Sequence, residues 1–167
     1  YKSEEHDFWE LVYVDKGELE VEANNEKFTL GREECVFHKP GERHIHRANG
    51  VLSPNYFVIC FVYNSKYMKV FEGKRFKLSE KQKKYMSNIL EESSHVFDIR
   101  WNSTKEKKLK VSLDEPIGGQ QMIKTCLEQL LILLLRQESG NIDLLKGQPI
   151  EGENIARKMK RSLDDSA

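Results

Sequence analysis

The sequence predicts a mainly β protein in which an antiparallel barrel or sandwich is followed by α-helices. In the first third of the chain, short runs of apolar and β-branched residues alternate with polar ones, and turn residues separate the runs. Two helices are predicted to follow, one from a serine in the N-cap position and one from a long leucine-rich run. A chain of 167 residues is long enough to bury one core of useful size.

The first part of the chain should contain six strands. They are predicted at residues 8–14, 18–23, 27–30, 34–38, 44–48 and 56–63. Val21, Phe28 and Leu30 alternate with polar neighbours, which indicates strands that are buried on one face only. The sixth run is continuously apolar, so we expect it to be buried on both faces, against the other strands and against helices.

Two helices are predicted in the second half. Ser79 and Gln82 have the spacing of a capping box and start the first helix. The second should span residues 118–137, and its apolar side chains cover more of the surface than one packing partner needs. Either this helix is central to the core, or part of its surface meets a second subunit, and both can hold. The candidate dimerisation residues are Ile123, Leu127, Leu130, Leu131, Leu134 and Leu135.

The charge balance, the cysteine positions and the lengths of the apolar runs exclude several classes of protein. The 27 basic and 27 acidic residues balance, which argues against nucleic-acid binding by this part of the chain. Cys35, Cys60 and Cys126 lie far apart, as expected of reduced core residues and not of a disulfide framework or zinc site. No signal peptide is visible, and no apolar run approaches the ~20 residues of a membrane span. We therefore expect a soluble, cytoplasmic protein with no membrane contact.

Histidines and carboxylates recur on two of the predicted strands. Alternation places Glu4, His6 and Glu10 on one face of the first strand, and it places His44 and His46 on one face of the fifth. If both faces look into one barrel, these groups converge and can coordinate a divalent metal. They could equally line a ligand pocket or hydrogen-bond to one another. His38, which precedes Lys39-Pro40, would only close a turn.

Two spacings resemble cupin motifs. The pattern His6-x-x-x-Glu10-(six residues)-Gly17 resembles the second half of the first motif, and Pro40-Gly41-x-x-His44 resembles the second motif. The resemblance implies a double-stranded β-helix, or jelly-roll. Metal cupins carry a histidine where this chain has Glu4, so we expect no metal cofactor. If a metal did bind, its ligands would be His6, Glu10, His44 and Glu4.

Further segments resemble the sensor domain of AraC-type transcription regulators, over residues 6 to about 137. The segments are His6-Asp7-Phe8-Trp9-Glu10-Leu11-Val12-Tyr13-Val14, Gly17, Leu30-Gly31, His38-Lys39-Pro40-Gly41-Glu42-Arg43-His44, Phe71-Glu72-Gly73-Lys74 and Gly118-Gly119-Gln120-Gln121-Met122-Ile123-Lys124 onwards to Arg136. The resemblance implies a cupin barrel that binds a small effector, such as a sugar or other metabolite, and helices that form a homodimer. Residues 1–75 would be the barrel, 76–137 the helical part of the same domain, and 138–167 a linker.

In this family, DNA is contacted by two helix-turn-helix units in a C-terminal domain. No such pattern follows residue 138, so we expect a sensor without its DNA-binding half, and not an enzyme. The predicted effector-binding residues are His6, Glu10, His44, His46, Tyr13, Phe37 and Tyr56. The alternative is a small metal-dependent cupin enzyme, a dioxygenase or isomerase, which needs at least three ligands around an open position.

Overall fold

The computed structural model describes residues 3–99 and 109–138. The described strands are β1 (Trp9–Lys16), β2 (Leu19–Ala23), β3 (Glu26–Leu30), β4 (Glu34–His38), β5 (His44–Ala48), β6 (Asn55–Phe61) and β7 (Arg75–Lys77). The helices are a 3-10 helix (Lys66–Phe71), α1 (Glu80–Val96) and α2 (Gly119–Glu138). The prediction of a mainly β protein with helices in its C-terminal part is confirmed.

The described strands form two antiparallel sheets. One has four strands in the order β6-β1-β4-β7, and the other has three in the order β3-β2-β5. The pairing places Glu10 of β1 opposite His38 of β4, and Val21 of β2 opposite His46 of β5. The six predicted strands are all present, and the short strand β7 and the 3-10 helix were not predicted.

Strand alternation divides the buried side chains into two cores. The core between the sheets contains Val12, Val14, Leu19, Val21, Leu30 and Val36. On the other face of the four-stranded sheet, a larger core joins side chains such as Trp9, Leu11 and Phe37 to the buried faces of α1 and α2. Glu10 lies between Trp9 and Leu11, so alternation points it towards the core between the sheets.

Helix α1 begins at the predicted capping box. The Ser79 side chain accepts a hydrogen bond from the Gln82 backbone N–H, and the Gln82 side chain accepts one from the Ser79 backbone N–H. Two of the N–H groups at the start of the helix are thereby satisfied. The local sequence therefore determines where this helix starts.

Helix α2 packs its leucines inside the chain itself. Leu127, Leu130, Leu131 and Leu134 are buried in the helix-side core, while Ile123 and Leu135 pack against it partly buried. For the four buried leucines this supports the alternative in which the helix is central to the core, because side chains buried within one subunit are not available to another. Outside this core, α2 has a stripe of exposed or partly exposed positions at helical spacing: Met122, Thr125, Gln129, Ile132 and Arg136.

The prediction that the sixth strand is buried on both faces is wrong. Strand β6 is an edge strand, and its side chains alternate between partly buried and exposed. Phe57, Ile59 and Phe61 pack against the helix-side core. On the opposite face Tyr56 is 38% exposed and Val58 is 44% exposed. The continuous apolar run of β6 therefore does not indicate burial of both faces of the strand.

The chain divides into two compact units, Tyr1–Leu135 and Arg136–Ala167. Only residues 136–138 of the second unit are described, so nearly all of the predicted linker lies outside the described residues. Among the residues that are described, no helix is both long enough and apolar enough to cross a membrane.

Candidate functional site

Four side chains with metal-binding and hydrogen-bonding atoms converge between the two sheets. Glu10 lies on β1, and His38 lies opposite it on β4 of the same sheet. His44 and His46 lie on β5 of the other sheet. One nitrogen or carboxylate oxygen from each side chain lies within 4.8 Å of those of the other three. We call these four residues the His–Glu cluster, and both sheets contribute to it.

Three of the four cluster residues are buried. Glu10, His38 and His44 are 4%, 0% and 1% exposed, whereas the His46 side chain keeps 12% of its surface exposed. The partly exposed ring of Tyr56, on edge strand β6, lies 6.3 Å from the His46 ring. A small ligand or ion would therefore reach the cluster past His46.

Glu42 orients two of the histidine rings. Its carboxylate accepts a hydrogen bond from Nδ1 of His38 at 2.8 Å, and its backbone carbonyl accepts one from Nδ1 of His44 at 2.9 Å. The two rings are stacked, with their centroids 4.0 Å apart. Because each Nδ1 carries the proton of its bond, Nε2 of the neutral ring presents a lone pair to the cluster.

The Nε2 atoms and one Glu10 oxygen face each other across short gaps. Nε2 of His38 lies 3.1 Å from Nε2 of His46. Oε1 of Glu10 lies 3.4 Å from Nε2 of His44 and 3.8 Å from Nε2 of His46. Nε2 of His44 is buried and has no hydrogen-bond partner. Leaving a buried polar atom unpaired costs about 1–3 kcal/mol, so this nitrogen should take a partner, either the Glu10 oxygen 3.4 Å away or a bound group.

Burial and neighbouring charges shift the pKa values of three of the cluster side chains. Burial raises the pKa of Glu10, but His44, His46 and His6 outweigh it and hold the pKa at about 2. Burial lowers the pKa of His46 to about 4. Burial opposes the charged form of His44 too, but the Glu10 and Glu42 carboxylates leave its pKa raised. At neutral pH, Glu10 is therefore ionised and His46 is neutral.

His6 holds Glu10 from outside the cluster. Its Nε2 lies 2.9 Å from Oε2 of Glu10, and its Nδ1 lies 3.0 Å from the carbonyl oxygen of Phe8. Glu4 is exposed, and its backbone pairs with that of His44 through bonds of 2.9 and 3.0 Å. The strand begins at Trp9, so the alternation used to place Glu4 does not extend back to it.

The metal ligands predicted from the sequence therefore need correction. Glu10 and His44 belong to the cluster as expected, but His38 and His46 are its other members, in place of His6 and Glu4. His38 does more than close a turn, because its pairing opposite Glu10 brings its ring into the cluster.

The three aromatic residues predicted to line the pocket lie on different faces of the four-stranded sheet. Tyr13 and Phe37 are 5% and 1% exposed and belong to the helix-side core, which corrects their placement in a pocket. Both occupy odd positions on strands whose even positions face the other sheet. Tyr56 pairs with Val14 and shares the face of β6 that looks towards the cluster.

A cleft opens beside the cluster. It has a volume of about 600 Å³, and its lining includes Phe28, Arg75, Lys27, Glu26 and Glu42. The Arg75 guanidinium lies over the Phe28 ring, with its central carbon 5.0 Å from the ring centroid. Glu42 lines the cleft and also accepts the bond from His38, so it connects the cleft to the cluster.

Sequence reasoning missed His38 and Glu42. Val36 faces the core between the sheets, and His38 lies two residues later on the same strand, so alternation along β4 could have identified it. Glu42 occupies an unspecified position of the Pro40-Gly41-x-x-His44 pattern, and no local signal marks it.

Neither models of known protein families nor curated protein sequences give a match to this chain.

Proposed function

We propose that this chain is the effector-sensing and dimerising part of an AraC-type transcription regulator, that its two sheets form a cupin jelly-roll, and that it is not an enzyme. The observation that carries the proposal is the buried His–Glu cluster. Buried ionisable groups are costly unless they are paired, and perturbed pKa values concentrate at functional sites. The motif spacings around Glu10 and His44 supply the family part of the proposal.

The cleft has room for an organic effector. Its volume falls in the range of about 300–1,000 Å³ that small-molecule sites occupy. The Phe28 ring offers an apolar face, while Arg75 and Glu42 offer a hydrogen-bond donor and an acceptor. This combination suits a sugar or another polar metabolite with a ring that can stack on Phe28.

Glu42 would carry the signal from the cleft to the chain around it. It holds His38 and His44, and the neighbouring Gly41 donates a backbone hydrogen bond of 2.8 Å to the carbonyl of His6 in the N-terminal segment. An effector shifts such a segment only if it binds one arrangement more tightly than the other. Couplings of this kind amount to about 1–3 kcal/mol.

Dimerisation and DNA contact complete the proposal. The stripe of α2 that includes Met122, Gln129 and Ile132 remains available to a second subunit. The zero net charge favours a division of labour in which another part of the regulator contacts DNA in the cytoplasm.

A screen by thermal unfolding tests the effector site. We expect one member of a library of sugars and polar metabolites to raise the unfolding midpoint, because a ligand at 100 times its Kd adds about 2.7 kcal/mol. Arg75→Ala should abolish the rise. Arg32→Ala should preserve it, because Arg32 is exposed and pairs with Glu33 outside the cleft. A library without any stabilising compound, or an unaltered response in Arg75→Ala, contradicts the proposal.

The His–Glu cluster also favours a second candidate, a metal-dependent cupin dioxygenase or isomerase. Such an enzyme needs a coordination position that substrate or water can reach. Of the four cluster side chains, three are almost fully buried, which favours binding over turnover. Purified protein with stoichiometric iron, nickel or manganese and measurable turnover of a substrate would overturn the sensor proposal.

A further inference from the structure

We propose that Glu10, His38, His44 and His46 form a binding site for a divalent transition-metal ion, and that zinc(II) is the ion whose coordination they match. The proposal goes beyond effector sensing. It concerns the His–Glu cluster alone and holds whether or not the neighbouring cleft binds a metabolite.

The donor atoms have the identity and spacing that zinc requires. Three imidazole nitrogens and one carboxylate oxygen are all common zinc ligands. With metal–ligand bonds of about 2.0–2.1 Å, neighbouring ligand atoms of a tetrahedron lie about 3.3 Å apart. Three of the six separations in the cluster are 3.1, 3.4 and 3.8 Å, and all six are within 4.8 Å. Only small side-chain adjustments would therefore bring the four atoms around one ion.

The hydrogen bonds that orient the ligand side chains are also typical of a metal site. Metal-binding histidines donate their second ring N–H to a carboxylate or a carbonyl. Glu42 supplies one of each, its carboxylate to His38 and its carbonyl to His44. His6 lies 2.9 Å from Oε2 of Glu10, which leaves Oε1 directed at the cluster.

The neutral form of His44 leaves one contact of the cluster unsatisfied. With its proton on Nδ1, neutral His44 directs the lone pair of Nε2 towards an ionised carboxylate oxygen 3.4 Å away, and only a second proton or a bound cation makes this contact attractive. Two acceptors repel each other, and this buried nitrogen has no hydrogen-bond partner. A bound cation removes the repulsion and gives all four donor atoms a common partner.

The set also differs from the one that the cupin-like spacings indicate. Those spacings pointed to His6 and Glu4 beside Glu10 and His44, whereas the structure brings in His38 and His46. Four protein ligands complete a tetrahedron, as in structural zinc sites, whereas catalytic sites keep one position open. We therefore infer a closed site that links the two sheets.

Calorimetric titration of the chelator-treated full chain with zinc chloride tests the proposal. We expect one ion per chain and a rise in the unfolding midpoint with zinc. His46→Gln should weaken binding by more than the ~10–100-fold that loss of an outer partner costs. His95→Ala, at an exposed histidine of α1, is the matched control and should bind like the unmodified chain. Absence of zinc binding, or equal binding by His46→Gln, overturns the proposal.

Cobalt(II) gives a second readout that needs no variant. Four-coordinate cobalt absorbs visible light far more strongly than six-coordinate cobalt, so a closed site should give an intense spectrum that zinc abolishes. A weak spectrum typical of six-coordinate cobalt would contradict the closed site. The effector site has a separate test. A metabolite that stabilises the zinc-free chain supports effector sensing, whereas only the zinc titration decides whether the cluster binds metal.

Discussion

Glu10 and His38 point into the cluster because they occupy even positions of β1 and β4, and the even positions of these strands face the other sheet. The same alternation identified Glu10, His44 and His46 from the sequence. Tyr13 and Phe37 were misplaced although their parity already set them on the opposite face from Glu10 and His38. The role of Glu42 could not be predicted, because it depends on a backbone path that brings its carboxylate to one ring and its carbonyl to another.

Cys60 is the residue whose environment gives the clearest chemical prediction. It was expected in the core but is exposed, and it lies opposite Glu10 in the sheet. Although the residue is exposed, partial burial of its thiol group, together with the Glu10 and Glu4 carboxylates, raises its pKa from 9.0 to about 11. Only the thiolate reacts with alkylating agents, so reaction should be slowed in proportion.

We therefore expect Cys60 to react with iodoacetamide on the order of 100-fold more slowly at pH 7.5–8 than an unperturbed cysteine, since each pKa unit is a tenfold change in thiolate. Its rate should rise until about pH 11. Cys35 and Cys126 are buried and should stay unmodified in the folded chain. Mass spectrometry of the peptides follows each site, and rapid alkylation of Cys60 at pH 8 would show that its environment is misdescribed.

For the helices and strands, local sequence signals predicted where an element begins better than they predicted what packs against it. The capping box placed the start of α1 because both of its bonds form within four residues. The burial of β6 was misjudged because its position at a sheet edge depends on strand order. Strand β7 has only three residues, too few for a periodic pattern to appear.

Helix α2 carries a prediction of its own, because its two faces now have separate roles. Ile132→Glu should leave the chain folded but reduce a dimer to a monomer, since Ile132 is 46% exposed on the outer stripe. Leu130→Ala should instead destabilise the fold by about 2–5 kcal/mol, because Leu130 is fully buried. Analytical ultracentrifugation and urea unfolding measure the two effects. A dimer that survives Ile132→Glu, or a monomeric unmodified chain, would remove α2 as the interface.

At the scale of the whole molecule, the His–Glu cluster joins the two sheets. Glu10 and His38 come from the four-stranded sheet, and His44 and His46 come from the three-stranded sheet. An ion or ligand held by both pairs would bias how the sheets sit on each other, and a change at Glu42 would reach both. The sequence could predict six of the strands and place Glu10, His44 and His46 in a pocket, but not the register between strands that brings His38 to them.

The histidine rings offer the most direct test of this account. The chain has five histidines, so a nitrogen-15 spectrum of its imidazoles resolves each one by comparison with single substitutions. On addition of one equivalent of zinc, we expect the Nε2 signals of three rings to move to the metal-bound range. These should be His38, His44 and His46, while His95 stays unchanged and His6 keeps its contact with Glu10. A spectrum that zinc leaves unaltered, or one in which His6 is a ligand and His38 is not, would contradict the site described here.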